Sequence, residues 1–205
     1  MPVTSGDSEP IDLPRMLAVS VADEAPAEGM SDAADQAARL AAHEPLAWQE
    51  LFDEYFRKMH RFAYVRTGDI HLAEEIASEV FVAAVRGIKR YKVTGAPIAA
   101  WLFRIARNIT ADQLERRSKR PTTPIDDVQL ETPGFATQLD ELTDLAEAMR
   151  HLTREQQEVI SLRFVSDCSV LETAAAMGKS AGAVKLLQHR ALTSLRREMT
   201  RGTPR

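Results

Sequence analysis

Residues 169–192 read SVLETAAAMGKSAGAVKLLQHRAL, and this run has the spacing of a helix-turn-helix. Ala174 is small where two helices must cross closely, and Gly178 permits the turn between them. Val184 and Leu187 anchor the second helix on the first. This geometry leaves the N-terminal half of the second helix free to enter the major groove of DNA. The alternative is an ordinary helical hairpin, because charged residues at i, i+3 and i+4 occur on any helix.

The second helix of this motif is predicted to present a polar face. Its candidate contact residues are Lys185, Gln188, His189 and Arg190. Ser180 and its backbone N–H lie at the start of the helix, where a phosphate binds well because several N–H groups lack partners there. The sequence therefore predicts DNA contact at this end of the chain.

Charge is distributed along the chain in blocks. Residues 1–44 hold 2 Lys/Arg against 9 Asp/Glu, residues 45–120 hold 14 against 9, residues 121–149 hold none against 7, and residues 150–205 hold 10 against 5. The whole chain has a net charge of −4. Because attraction to phosphate depends on the local patch, the two basic blocks indicate nucleic-acid binding despite the acidic total.

Apolar residues recur at helical spacing through most of the chain, which predicts an all-α fold. We expect two small helical domains, residues 45–120 and 138–205, joined by a flexible acidic linker over residues 121–137. Residues 1–44 are rich in Ala, Asp, Glu and Pro, so we expect a largely disordered extension. Within it, Ser31–Ala42 is a candidate short helix that needs a packing partner, because its apolar face is mostly Ala.

Local signals predict several helix ends. Gly68 suits the C-cap of the first long helix. Thr153 with Gln156, and Ser169 with Glu172, each have the three-residue spacing of a capping box. The expected inner stripe of the first helix includes Leu51, Phe52, Tyr55, Phe56, Met59 and Phe62, and that of the second includes Ile76, Val80, Phe81, Ala84 and Val85.

A third helix, beginning at Pro97, is basic and carries an aromatic residue near its start. The cations and aromatics of this helix and the preceding loop are Lys89, Arg90, Tyr91, Lys92, Trp101, Arg104, Arg107, Arg116 and Arg117, with Asn108 among them. Such interleaving suits a single nucleic-acid strand, since bases stack on aromatic rings and phosphates attract cations. For Trp101 a position in the core explains the spacing equally well.

Other classes of protein find little support in the sequence. There is no Gly-rich phosphate loop, nucleophile–base spacing or metal-ligand cluster, so we expect no enzymatic activity, metal, cofactor or small-molecule substrate. The N-terminal MPVTSGDSEP lacks a basic leader and an apolar stretch, which argues against a secretory signal. The single Cys168 excludes an internal disulfide and suits a cytoplasmic location.

Four segments taken together carry a family resemblance. They read LAWQELFDEYFRKMHRFAYVRTGD, AEEIASEVFVAAVR, APIAAWLFRIARNITADQLERR and LTREQQEVISLRFVSDCSVLETAAAMGKSAGAVKLLQHRALTSLRREM, over about residues 46–200. In this order they resemble the extracytoplasmic-function (ECF) sigma factors, the fourth group of the sigma-70 family of bacterial RNA polymerase. The resemblance implies an alternative sigma factor that directs the core enzyme to promoters and promotes strand opening.

The resemblance also implies roles for particular residues. Docking on core polymerase falls to the second helix, with Glu75, Glu79, Phe81 and Arg86, where a place in the core suits Phe81 equally well. Recognition and melting of the −10 element falls to Lys89, Arg90, Tyr91, Lys92, Trp101, Arg104, Arg107, Asn108, Arg116 and Arg117. Recognition of the −35 element falls to Ser180, Ala183, Lys185, Leu186, His189 and Arg190. The family's linker threads toward the polymerase active centre and the RNA exit path. The acidic residues Asp126, Asp127 and Glu131 suit that position, since a negatively charged chain can occupy a channel built for RNA.

The implied partners are core RNA polymerase, promoter DNA as duplex and as single non-template strand, and an anti-sigma factor. The protein would act in the cytoplasm, on the nucleoid when bound to polymerase. Two residues depart from the family pattern: Val85 stands where many members have Trp, and Thr173 replaces an apolar residue. Two rival functions stay open, a conventional regulator that binds duplex DNA without polymerase and, more remotely, an enzyme.

Overall fold

The computed structural model describes residues 30–91, 97–119 and 136–202. Within these ranges all regular structure is helical. The elements are α1 (Met30–Ala41), α2 (Pro45–Thr67), α3 (Ile70–Gly87), a 3₁₀ turn (Ile88–Arg90), α4 (Ile98–Ser118), α5 (Ala136–Met149), α6 (Arg154–Ile160), a π-helical turn (Ser161–Val165), α7 (Val170–Met177) and α8 (Ala181–Gly202). Two helical domains result, as the sequence predicts. The predicted linker, residues 121–137, lies almost wholly outside the described residues.

Helix α1 is folded against α2. Leu40 is fully buried in the core beside Leu51, and the indole Nε1 of Trp48 donates to the Leu40 carbonyl at 3.1 Å. The Arg39 guanidinium pairs with Glu44 at 2.9 Å. The candidate helix over residues 31–42 thus has the partner that it needs, and the expectation of disorder up to residue 44 is wrong from residue 30 onward. Residues 1–29 lie outside the described residues.

The core of the first domain is formed by α2, α3 and α4. Phe62 and Phe103 meet edge to face, with ring centroids 5.9 Å apart, in the fully buried centre. The turn between α2 and α3 is tight because Gly68 adopts the left-handed conformation (φ 65°) and donates its N–H to the Tyr64 carbonyl. Asp69 then caps α3 by accepting from the Leu72 N–H at 2.9 Å. The prediction for Gly68 is confirmed.

The second domain ends in the predicted helix-turn-helix, α7 and α8. Both capping boxes are present, at Thr153 and at Ser169. Gly178 is left-handed (φ 66°), which reverses the chain between the two helices. Ala174 and Val184 are buried where α7 and α8 cross. The helix-turn-helix prediction is therefore confirmed.

The helix predicted to run from Thr153 to Arg163 changes character before its end. It is α-helical only as far as Ile160, and Ser161–Val165 forms a π-helical turn closed by the Ser166 N–H donating to the Ser161 carbonyl at 3.0 Å. The Ser161 hydroxyl donates back to the Gln157 carbonyl at 2.8 Å, a bond that commonly bends helices. This turn widens the backbone where the second domain meets the first.

The two domains pack directly against each other. The hydroxyls of Tyr64 on α2 and Thr143 on α5 are 2.8 Å apart, and Ser166 donates to the Lys58 carbonyl at 3.4 Å. Helix α4 of the first domain lies against α7 of the second, through hydrogen bonds that Arg104 and Arg107 donate to carbonyls of α7. The basic third helix of the first domain is therefore partly covered by the helix-turn-helix domain.

Thr173 offers a test of the packing of α7. Its side chain is fully buried, and its Oγ1 has no hydrogen-bond partner among the described residues. An unpaired buried hydroxyl costs stability, so Thr173→Val should raise the free energy of unfolding by about 1 kcal/mol in urea denaturation. The exposed Thr193 on α8 is the matched control, and Thr193→Val should give no gain. A loss of stability in Thr173→Val would contradict this account of the site.

Candidate nucleic-acid interface

Helix α8 presents the residues expected to read DNA. Ser180 caps the helix, because its Oγ accepts from the Ala183 N–H at 3.2 Å. The exposed members of the predicted set are Ser180, Ala183, Leu186, His189 and Arg190, and Lys185 is partly exposed. Leu186 is 52% exposed although it is aliphatic. The structure thus places Ser180 at the cap of α8 and the other five predicted residues on its first three turns.

Gln188 was expected on the exposed face, and this prediction is wrong. Gln188 is 2% exposed, since it falls on the same side of α8 as Val184 and Ala191, which are fully buried. Its Oε1 accepts from the Arg163 Nε at 3.0 Å. In the sequence, helical spacing puts Gln188 between buried and exposed neighbours and does not decide which way it faces. Its hydrogen-bond partner, Arg163, is visible only in the structure.

Arg163 connects the π-helical turn to α8. One guanidinium nitrogen donates to Gln188 and another to the Cys168 carbonyl. Burial raises the pKa of the Cys168 thiol well above its ordinary value, so this residue is a neutral core group at physiological pH. Arg163 therefore positions the helix that carries the −35 candidates, a role that its sequence context did not reveal.

An aromatic pair joins Tyr91, which follows the 3₁₀ turn, to Trp101 on α4. The centroids of Tyr91 and Trp101 are 5.2 Å apart with an angle of 47° between the rings, and both are partly exposed. A side chain at Gly87 would have its Cβ 3.4 Å from the Trp101 ring, so a small residue there leaves room for the indole. Trp101 packs against the core with part of its surface accessible. Lys89 and Arg90 are exposed, and Lys92 lies outside the described residues.

The remaining polar candidates on α4 are engaged to different degrees. Arg104 and Arg107 donate to the carbonyls of Ala175 and Ala176, each at 2.8 Å. The pairs Arg116–Asp112, at 2.7 Å, and Arg117–Asp69, at 2.5 Å, lie on the surface, and Asn108 is exposed. Exposed pairs of this kind contribute little to stability, so Arg116 and Arg117 remain available to a stronger anion.

The face of α3 expected to dock on polymerase is both charged and apolar. Glu75, Glu79 and Arg86 are exposed. Phe81, by contrast, is 7% exposed and belongs to the core.

Phe81 supports an apolar patch that the sequence analysis missed. The Phe52 ring lies 4.9 Å from Phe81 and 4.6 Å from Phe56. Phe52 is 42% exposed, Val82 47% and Val85 41%. Phe52 and Val85 were expected on inner stripes, and that prediction is wrong, because each of them is more than one-third exposed. We call Phe52, Phe56, Val82 and Val85 the apolar patch.

Two other kinds of site are absent from the described ranges. No group of three or more His, Cys, Asp or Glu is arranged to hold a metal ion there. Nor does any helix in the same ranges combine the length and hydropathy needed to cross a membrane.

A helical domain with a basic, aromatic-bearing helix, packed beside a helix-turn-helix domain, is the two-domain arrangement of a sigma factor. The family model for Sigma-70 region 2 matches residues 51–120, and that for Sigma-70, region 4 matches residues 148–197. The chain is 31% identical over 149 residues to the ECF RNA polymerase sigma factor SigD of Mycobacterium tuberculosis, covering 68% of this chain and 70% of SigD. This protein belongs to the ECF sigma factors.

Further relatives agree with this assignment. The ECF RNA polymerase sigma factor BldN of Streptomyces coelicolor is 38% identical over 165 residues, 78% of this chain, and the chain spans 62% of the length of BldN. Two solved structures share the fold. CnrH in complex with the cytosolic domain of CnrY gives a TM-score of 0.67 at 24% identity, covering 83% of this chain and 99% of that chain. The sigma factor RpoE in complex with the anti-sigma factor NepR from Bartonella quintana gives a TM-score of 0.57 at 21% identity, covering 76% of this chain and 98% of that chain.

The apolar patch predicts a contrast between two phenylalanines. Phe52→Ala should lower the free energy of unfolding by about 1–2 kcal/mol, because the residue is 42% exposed in the folded protein. Phe62→Ala should lower it by about 3–5 kcal/mol, because it empties a fully buried position. Chemical denaturation of both variants measures the difference. Equal losses would show that Phe52 is a core residue.

Proposed function

We propose that this protein is an alternative sigma factor that directs core RNA polymerase to specific promoters and promotes strand opening. The observation that carries the proposal is the presence in one chain of a region 2 domain and a region 4 domain, each with cations at the surface expected to meet DNA. Neither domain alone distinguishes a sigma factor from a conventional regulator. Their combination favours promoter recognition in partnership with polymerase.

Recognition of the −35 element is assigned to the start of α8. Its N-terminal turns enter the major groove, where Lys185 and Arg190 meet phosphates and base edges. Leu186 offers an apolar contact for a thymine methyl group, which accounts for an exposed aliphatic side chain at this position. Ser180 and Ala183 lie where the start of the helix comes close to the DNA backbone. His189 lies on the same exposed face.

Recognition and melting of the −10 element are assigned to the 3₁₀ turn and α4. Tyr91 and Trp101 form an aromatic pair beside Lys89 and Arg90, and such a pair accepts an unstacked base while the cations hold the strand. Arg104, Arg107, Asn108, Arg116 and Arg117 extend the track along α4, and Lys92 belongs to the same loop. The favourable free energy of base stacking and of phosphate contacts offsets the free-energy cost of separating the base pairs.

Docking on core polymerase is assigned to α3 and the apolar patch. An exposed apolar surface rimmed by Glu75, Glu79 and Arg86 has the composition of a protein interface. In this arrangement Phe81 acts from beneath, by holding the Phe52 ring in place.

The chemistry of RNA synthesis belongs to the polymerase, and this chain contributes no catalytic group and needs no cofactor. We propose that it acts in the cytoplasm. An anti-sigma factor is a further proposed partner, since CnrH and RpoE were each solved with a bound partner protein, which for RpoE is the anti-sigma factor NepR.

The test separates docking from DNA reading. Purified protein is mixed with bacterial core polymerase, and two quantities are measured: comigration with the core enzyme on size exclusion, and RNA synthesis from fragmented genomic DNA. Lys185→Ala and Arg190→Ala should comigrate normally and lower RNA synthesis about tenfold or more, because a lost DNA contact is worth about 1–3 kcal/mol. Phe52→Ala should weaken comigration and RNA synthesis together.

Arg197→Ala is the matched control, because Arg197 lies further along α8 and pairs with Glu198 at 3.0 Å. It should behave as the wild type. Loss of comigration in a folded Arg190→Ala variant would contradict the assignment of α8. Binding to duplex DNA with no effect of the protein on core polymerase would instead favour the conventional regulator.

A further inference from the structure

Helix α1 lies before the residues that the family model covers. The match to Sigma-70 region 2 begins at residue 51, whereas α1 spans Met30–Ala41. The helix is nevertheless part of the first domain, because Leu40 is fully buried in the same core cluster as Ile88 and Ile98. An isolated helix of this length is only marginally stable in water. The stability of α1 therefore comes from its packing on the domain.

The surface assigned to the −10 element rests at one end on α1. We call Lys89, Arg90, Tyr91 and Trp101 the −10 surface. The 3₁₀ turn that begins it packs against α1 as well as against α3, from which it continues. Ile88 of this turn is 2% exposed, and its carbonyl accepts from the Tyr91 N–H at 2.9 Å. The position of Ile88 thus sets where the exposed residues of the turn are presented.

The other end of the −10 surface also lies beside α1. Gln36 and Arg39 of α1 line one cleft with Ile98, at the start of α4. Trp101, which carries one ring of the aromatic pair, lies in the first turn of α4. Helix α1 therefore flanks both chain segments that bring the two rings of the pair together.

The turn between α1 and α2 fixes how α1 lies on the domain. His43 has the left-handed conformation, with a φ of 57°, which is uncommon for a residue other than glycine. The Glu44 N–H closes the turn by donating to the Arg39 carbonyl at 3.1 Å. From α2, the Trp48 Nε1 donates to the Leu40 carbonyl at 3.1 Å. A backbone turn and a side-chain hydrogen bond thus hold α1 in one position on α2.

We propose that α1 supports the −10 surface, with Leu40 as the positioning residue that keeps Ile88 in place and so holds Tyr91 and Trp101 where an unstacked base meets them. Leu40 does not itself touch DNA. When α1 is detached, only a fraction of molecules present the two rings correctly, and the apparent affinity for the opened strand falls by that fraction. This inference rests on the proposed function for the role of the −10 surface.

Two variants of the full chain detach α1 in different ways. His43→Val opposes the left-handed turn, because a β-branched residue rarely adopts a positive φ. Leu40→Ala removes the buried side chain that joins α1 to the core. His43→Gly is the matched control, since it changes the same exposed position and glycine adopts this conformation readily. Circular dichroism checks that each variant is folded.

Hydrogen exchange followed by mass spectrometry measures the support without DNA or polymerase. We expect the amides of residues 88–91 to exchange about fivefold faster or more in His43→Val and in Leu40→Ala, because protection falls when a packed element opens. The amides of α7, in the second domain, should exchange as in the wild type. His43→Gly should match the wild type at both places.

The effect on DNA is measured in the complex with core polymerase, on the promoter fragment that gives the strongest mapped start with the wild type. Comigration reports docking, and permanganate reactivity of unpaired thymines reports strand opening. Both detaching variants should comigrate normally and lower this reactivity about fivefold or more. A fragment mismatched around −10 should recover most of the RNA synthesis, because its bases are already unpaired, whereas a general loss of structure would give no recovery.

Several results would overturn the proposal. They are unchanged exchange of residues 88–91 in both folded variants, faster exchange with normal strand opening, and no recovery on the mismatched fragment. Loss of comigration together with strand opening would also overturn it, by making α1 a structural part of the whole domain. If the wild type itself gives no mapped start, the proposed function fails and the role of α1 in strand opening fails with it, whereas hydrogen exchange would still show whether α1 supports the turn.

Discussion

The carboxylate of Glu158 lies between Arg66 and Arg107 at the surface where the two domains meet. At the same surface the end of α7 lies within hydrogen-bond distance of Arg104 and Arg107, so this contact between the domains accompanies the position of α4. Neutral contacts also join the domains. The hydrogen bond between the hydroxyls of Tyr64 and Thr143 and the one that Ser166 donates to the Lys58 carbonyl contribute about 1 kcal/mol each.

Each domain nevertheless has its own means of staying folded. The first is closed by the Gly68 turn and the Phe62–Phe103 pair, and the second by its two capping boxes and the Gly178 turn. Because these interactions are internal to a domain, separation of the domains need not unfold either one. The proposed function requires this property, since the two promoter elements lie apart along the duplex.

The features predicted correctly from the sequence depend on near neighbours in the chain. A glycine at a helix end, a Ser or Thr three residues before Gln or Glu, and a small residue at a helix crossing each have a local physical cause. The family resemblance rests on the same local patterns. They were sufficient for the helices, the helix-turn-helix and the exposed −35 candidates.

The features that the sequence could not supply depend on contacts between distant residues. Phe52 has the spacing of a core residue, but it is 42% exposed and its ring lies against those of Phe56 and Phe81. Gln188 has the polarity of a surface residue, but Arg163 binds it in the interior. The Ala-rich helix α1 gave no sign that Trp48 would cover Leu40. The sequence showed Arg104 and Arg107 as free cations, and only the packing of the two domains shows their present partners.

The central claim is that the two domains read two DNA elements on behalf of polymerase. The most direct measurement is transcription by bacterial core polymerase with this protein on fragmented genomic DNA, with the 5′ ends of all transcripts mapped. The account predicts discrete starts that require the protein and share two sequence motifs upstream, centred near −10 and −35 and separated by a constant interval. Starts that do not depend on the protein, or that share no upstream motif, would contradict it.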